Sequence, residues 1–171
     1  MRMCETGEDA GRVLLMGSSA YKAQELHPRV RERLGNAIDL GMTIIVGEAK
    51  GASRAFQDYL ASSGYRNVVV GHARSIRYNT GGWETRKYGD DLKEREKRMI
   101  EDCDTAIIIW VNRSSVIAEN LEKLKRQGKP TLLHEVDTER GTERVGDLDP
   151  NRIYSRFYAS ARYHRNMKND G

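Results

Sequence analysis

"TIIVGEAKGAS", residues 43–53, decides how this chain folds. A short run of strand character, Thr43–Val46, empties into a turn built from two glycines, two alanines and a serine around Glu48 and Lys50. Tight-turn geometry favours such bare residues, and so does close approach of a ligand to the backbone. A continuously apolar strand ending this way is the signature of a parallel sheet covered on both faces.

Working outward, the same grammar repeats. "RVLLMGSS" (12–19) is an apolar strand running into a Gly-Ser turn, and "NVVVG" (67–71), "TAIIIWV" (105–111) and "PTLLHEV" (130–136) read as further strands. Between them lie helical patterns. "HPRVRERLGNAIDLG" (27–41) spaces Val30, Leu34, Ala37 and Ile38 along one face and ends on Gly41 as a C-cap. "SRAFQDYLASSG" (53–64) has Ser53 as its N-cap, "DDLKEREKRMIEDCD" (90–104) is a charged helix, and "SSVIAENLEKLKRQGK" (114–129) is the fourth. The stretch 72–89 shows no periodicity. The prediction is an α/β fold: a doubly wound, Rossmann-like domain over residues 12–136, with about five parallel strands and helices on both faces.

Beyond residue 136 the composition changes. "DTERGTERVGDLDPN" (137–151) reads as a polar linker, and "RIYSRFYASARYHRN" (152–166) as an amphipathic helix carrying aromatic and basic residues. Residues 137–171 are therefore expected to form a C-terminal arm. Packing on its own domain or on a sister subunit is the favoured reading, which makes a homo-oligomer the expected assembly. A stacking surface for nucleic acid is the sharper alternative.

Composition excludes several classes. At 171 residues the chain suits one domain with an appendage, and 32% charged residues predict a well-solvated surface. No apolar run is long enough to span a bilayer, and the polar start "MRMCETGEDAG" lacks the apolar core of a signal peptide, so no membrane partner and a cytoplasmic location are expected. The net charge of +4 is modest and fits a mixed-charge surface better than a dedicated polyanion binder. Two cysteines, Cys4 and Cys103, and four scattered histidines form no ligand cluster, so neither a metal site nor a disulfide framework is expected. There is no GxGxxG after the first strand and no GxxxxGK[ST], which argues against an ordinary NAD dehydrogenase and a P-loop NTPase and implies no cofactor.

Ligands of open parallel sheets bind beyond the carboxyl ends of the strands. The loops to watch are thus "GSSAYKA", "GEAKGAS", "GHARSIRYNTGGW" and "NRSSVIAEN". Three of them lead towards a helix start, where backbone N–H groups and the positive end of the helix dipole suit a phosphate.

Taken together, Gly17-Ser18-Ser19, Gly47-Glu48-Ala49-Lys50-Gly51-Ala52-Ser53, Arg95-Glu96 with Met99 and Asp104, then Trp110 and Ser115-Val116-Ile117-Ala118-Glu119-Asn120 resemble the SLOG superfamily. That Rossmann-like group contains the DprA/SMF proteins, the LOG phosphoribohydrolases and smaller relatives, and the likeness is to the small YspA-like branch, over residues 12–136. Ser19, Ser53 and Ile117-Ala118 differ from the basic residue, the Asp and the Gly-Thr pair usual in that pattern.

The resemblance implies a nucleotide or nucleotide-derived ligand. Gly17, Ser18, Ser19, Gly47, Glu48, Gly51, Ser53, Ser114, Ser115 and Asn120 would contact it, with Arg95 as opposing charge. Trp110 would be either a base-stacking wall or core. A LOG-like N-glycosidase is the alternative, with Glu119 at the position of the family's final Glu, Arg95 as its partner, and Glu48 and Asp104 as further candidate carboxylates. A DprA-like single-stranded DNA binder, carried by the tail, is the third reading.

Overall fold

The computed structural model describes residues 10–23 and 25–155. In chain order the elements are β1 (Arg12–Gly17), α1 (Pro28–Asp39), β2 (Thr43–Gly47), α2 (Ala52–Ser63), β3 (Val68–His72), β4 (Glu84–Lys87), α3 (Leu92–Asp102), β5 (Thr105–Val111), α4 (Ser115–Arg126), β6 (Thr131–Asp137) and β7 (Thr142–Asp147). They form an α/β, Rossmann-like fold around one seven-stranded sheet in the order β4-β3-β2-β1-β5-β6-β7. The strands from β1 to β6 pair in parallel, and β7 is antiparallel to β6.

The apolar strands explain the layering. Alternate residues point to opposite faces, so an unbroken run such as Val13–Met16 feeds two cores at once. Val13 and Leu15 join Val30 and Leu34 of α1 and Phe56 and Leu60 of α2 on one face. Leu14 and Met16 join Met99 and Ile100 of α3 and Leu121 and Leu124 of α4 on the other. Each fully buried aliphatic side chain contributes roughly 1.5–3 kcal/mol relative to exposure.

Several expectations are corrected. The sheet has six parallel strands, where about five were expected, and gains one antiparallel strand. The aperiodic stretch 72–89 contains β4, which pairs with β3 although all four of its residues are exposed. A buried Gln57 holds the loop before it. Its amide donates to Gly47 O and Tyr78 O, at 2.7 and 3.1 Å, and accepts from Thr80 N–H at 2.9 Å. Within the expected linker 137–151, Thr142–Asp147 form β7, in register with β6 from Leu132↔Asp147 to Asp137↔Thr142. Most of the expected helix over 152–166 lies outside the described residues. Of its start, Tyr154 is buried at 2% exposure and packs on Trp110, with ring centroids 5.9 Å apart. No helix among the described residues is long and apolar enough to cross a membrane.

Candidate functional site

Strand order reverses between β1 and β5, which places the crevice of interest above Gly17-Ser18-Ser19 and Asn112-Arg113-Ser114. The first turn is held by Ser18. Its N–H donates to Ile109 O at 2.9 Å, and its Oγ accepts from Val111 N–H at 2.9 Å and lies 3.2 Å from Ser114 Oγ. One buried hydroxyl thus ties the end of β1 to the end of β5.

The bare turn after β2 is explained by the turn after β1. Gly51 has φ +83, and a Cβ there would lie 2.5 Å from Ser19 O. That approach lets Ser18 O accept from Ala52 N–H at 3.1 Å, so the first turn's backbone caps α2. The N-cap of α2 is therefore Gly51, not Ser53. Ser53 is buried in the first turn, its Oγ 2.9 Å from where a Cβ on Gly47 would sit. A Cβ on Gly17 would lie 2.4 Å from Ile109 O. At these three glycines the space is taken by the chain itself.

The start of α4 is different. Asn112 and Arg113 both take left-handed backbone, φ 53 and 54, where non-glycine residues are uncommon. Asn112 is fixed by Thr138, whose N–H donates to Asn112 Oδ1 at 2.9 Å and whose Oγ1 accepts from Asn112 Nδ2 at 2.9 Å. Ser114 is the N-cap, yet its side chain makes no cap hydrogen bond, and the first turn holds no acidic residue. Its hydroxyl is turned to Ser18 instead, and its carbonyl accepts from Trp110 Nε1 at 2.8 Å. Ser19, Ser115 and Glu119 are exposed on this edge.

A buried charge network lies to one side. Glu48, 1% exposed, accepts from Arg95 Nη1 at 2.6 Å, from Arg77 Nε and Nη2 at 2.8 and 3.0 Å, and from Arg77 N–H at 3.2 Å. Burial opposes its charge, but the Arg77 hydrogen bonds and both guanidiniums outweigh it and hold the carboxyl below the usual carboxylate range. Arg95 also donates to Glu96 at 3.2 Å, and Glu96 accepts from Asn120 Nδ2 at 2.8 Å.

These contacts separate the predicted site residues. Glu48 and Arg95 meet each other, whereas no hydrogen bond or ion pair joins Arg95 to Glu119. Asn120 is 2% exposed and turned inward, with Nδ2 3.5 Å from Met16 Sδ. Trp110 is 1% exposed and belongs to the core, so it is not a stacking wall. Asp104 accepts from Arg12 N–H at 2.9 Å, at the opposite end of the sheet, and leaves the set of candidate carboxylates. Arg77 and Thr138 were missed, and Glu96 was quoted beside Arg95 but given no role. Arg77 lies in a loop already singled out, but nothing in its aperiodic stretch distinguishes it from Arg74.

A cavity of about 530 Å³ lies between residues 21–31 and the β6–β7 hairpin, lined among others by Tyr21, Leu26, His27, His134 and Glu143. His134 Nε2 is 2.6 Å from Glu143 Oε1. Burial pushes its imidazole pKa down, against the pull of Glu143.

No protein-family model matches the chain, and no curated protein matches it in sequence.

Proposed function

We propose that the chain binds a nucleotide or nucleotide-derived ligand, in the manner its resemblance to SLOG proteins implies, with the phosphate at the N-terminus of α4. One observation carries this reading: at the switch point, α4 starts with no side-chain cap and no first-turn carboxylate. Backbone N–H groups there carry partial positive charge and accept an anion at little cost. Ser19 and Ser115 supply exposed hydroxyls, and the cavity lined by Tyr21 and His134 offers room for base and sugar.

The test is Ser115→Asp, an exposed change that places a carboxylate among the same amides. Wild type should be stabilised by nucleoside monophosphates more than by nucleosides in thermal melts. Ser115→Asp should fold and lose that response. A full response in the variant refutes the reading.

A catalytic version places Glu119 as the carboxylate beside the bound ribose, favoured only by its exposure on the same helix start. Free-base release from nucleoside monophosphates, lost in Glu119→Gln, tests it. Self-association belongs to the proposal too. Because Thr142–Asp147 are part of the sheet, the truncation to compare by light scattering ends after Ser155.

A further inference from the structure

The geometry points to a second anion site, which borrows Arg113 from the switch-point loop but does not rest on that reading: a cavity of about 350 Å³ ringed by Arg113, Arg144 and Arg152, built to take a phosphate monoester. Its floor is Trp110 and Tyr154. The volume sits at the lower end of the range for small-molecule pockets.

Charge makes the case. Two of the three guanidiniums share one carboxylate, Glu135. Arg152 grips it with both nitrogens, Nη1 to Oε1 and Nη2 to Oε2, each at 3.0 Å, and Arg113 Nε adds a contact at 3.2 Å. Arg144 stands directly opposite Glu135 in the β6–β7 register, the position where a cross-strand ion pair forms most readily. Yet the carboxylate's contacts are with the other two arginines, and Arg144 makes no hydrogen bond or ion pair among the described residues. Of the acids nearby, Asp147 is paired with Arg33 at 3.1 Å and Asp149 accepts from Asn151 N–H at 2.8 Å. The cavity's own lining holds three guanidiniums and no carboxylate, a positive surface that suits a phosphate group.

Two of the three arginines are held in place by Glu135. Arg152 is clamped by Glu135 and lies over the Tyr154 ring, 4.7 Å from its centroid, with Trp110 at 5.7 Å. Arg113 projects from its left-handed backbone at φ 54. Guanidiniums fixed this way bind a phosphate in forked geometry without first losing side-chain freedom.

The experiment is calorimetric titration of the full chain with phenyl phosphate, a monoester, and with dimethyl phosphate, a diester, at pH 7.5. Saturable binding of the monoester and much weaker binding of the diester are expected. Stronger binding of the diester would mean that the surface serves a phosphodiester backbone and would overturn the monoester assignment. Arg144→Ala should weaken the monoester about tenfold or more, with an unchanged melting midpoint because no internal contact is lost. Arg144→Lys should recover part of the affinity. No saturable binding in wild type, or binding within twofold of wild type in Arg144→Ala, overturns the site. So does binding that survives in Arg144→Ala and disappears in Ser115→Asp, which would locate the phosphate on α4.

Discussion

Glu48 and Arg95, 47 residues apart in sequence, meet inside the protein with Nη1 2.6 Å from Oε2. Neither faces water. Arg77 completes the pairing from outside, so the carboxylate is satisfied on both oxygens. Arg95→Met, which keeps the side chain's bulk, should lower stability by about 3 kcal/mol, read as a shift in denaturant midpoint.

The same pair sets an acid limit. Glu48 has a folded pKa below its unfolded value, so its contribution is present above the unfolded pKa and is lost as pH falls through the folded one. Glu48→Gln should therefore be less stable than wild type at pH 7, with the gap narrowing on acidification below about pH 4.3. Equal gaps at pH 7 and pH 3 would show that the carboxylate's charge does not matter.

Ser18→Ala removes the acceptor for Val111 N–H inside a closed turn. A buried donor left without a partner costs about 1–3 kcal/mol. Hydrogen exchange at Val111 should accelerate more than at Ile108, which keeps its ladder partner.

Gly51→Ala tests the meeting of the first two turns. Its φ of +83 with ψ −128 is glycine territory, and the added Cβ would press on the Ser18 and Ser19 carbonyls. Strain and overpacking together predict a loss of roughly 2–5 kcal/mol. A melting midpoint within a degree or two of wild type would contradict this packing.

Cys103 is 2% exposed, and burial pushes its thiol pKa up to about 11. In a Cys4→Ser background the native protein should not react with a thiol reagent at pH 8 on the timescale of minutes, and should react fully once unfolded.

The five interior strands, β1, β2, β3, β5 and β6, were legible because each is apolar along most of its length, a pattern that burial on both faces demands. The two edge strands were not. Glu84-Thr85-Arg86-Lys87 and Thr142-Glu143-Arg144 look like loop, since an edge strand needs only a partner's hydrogen bonds and charged side chains there discourage pairing with other chains. The loops after the strands lie where the sequence put them, but which residues meet there depended on contacts between residues far apart in sequence. Arg95 was expected to face a ligand and instead meets Glu48. Trp110 is claimed by Tyr154 from a segment whose placement the sequence did not reveal. The glycines at 17, 47 and 51 were read as room for a ligand, and the backbone or side chain of a neighbouring segment fills that room.

The pairing of β1 with β5 matters before the protein is complete. β1 leaves the ribosome before the other strands of the sheet, and one of its two neighbours, Thr105–Val111, is made long after the other. Until then β1 is an open sheet border with a row of unmatched N–H and C=O groups, and Ser18 has no Val111 to hold. Nascent chains stalled before residue 105 should be the form most prone to cross-pairing and most dependent on chaperones, and synthesis of a few more turns of chain past β5 should end that dependence.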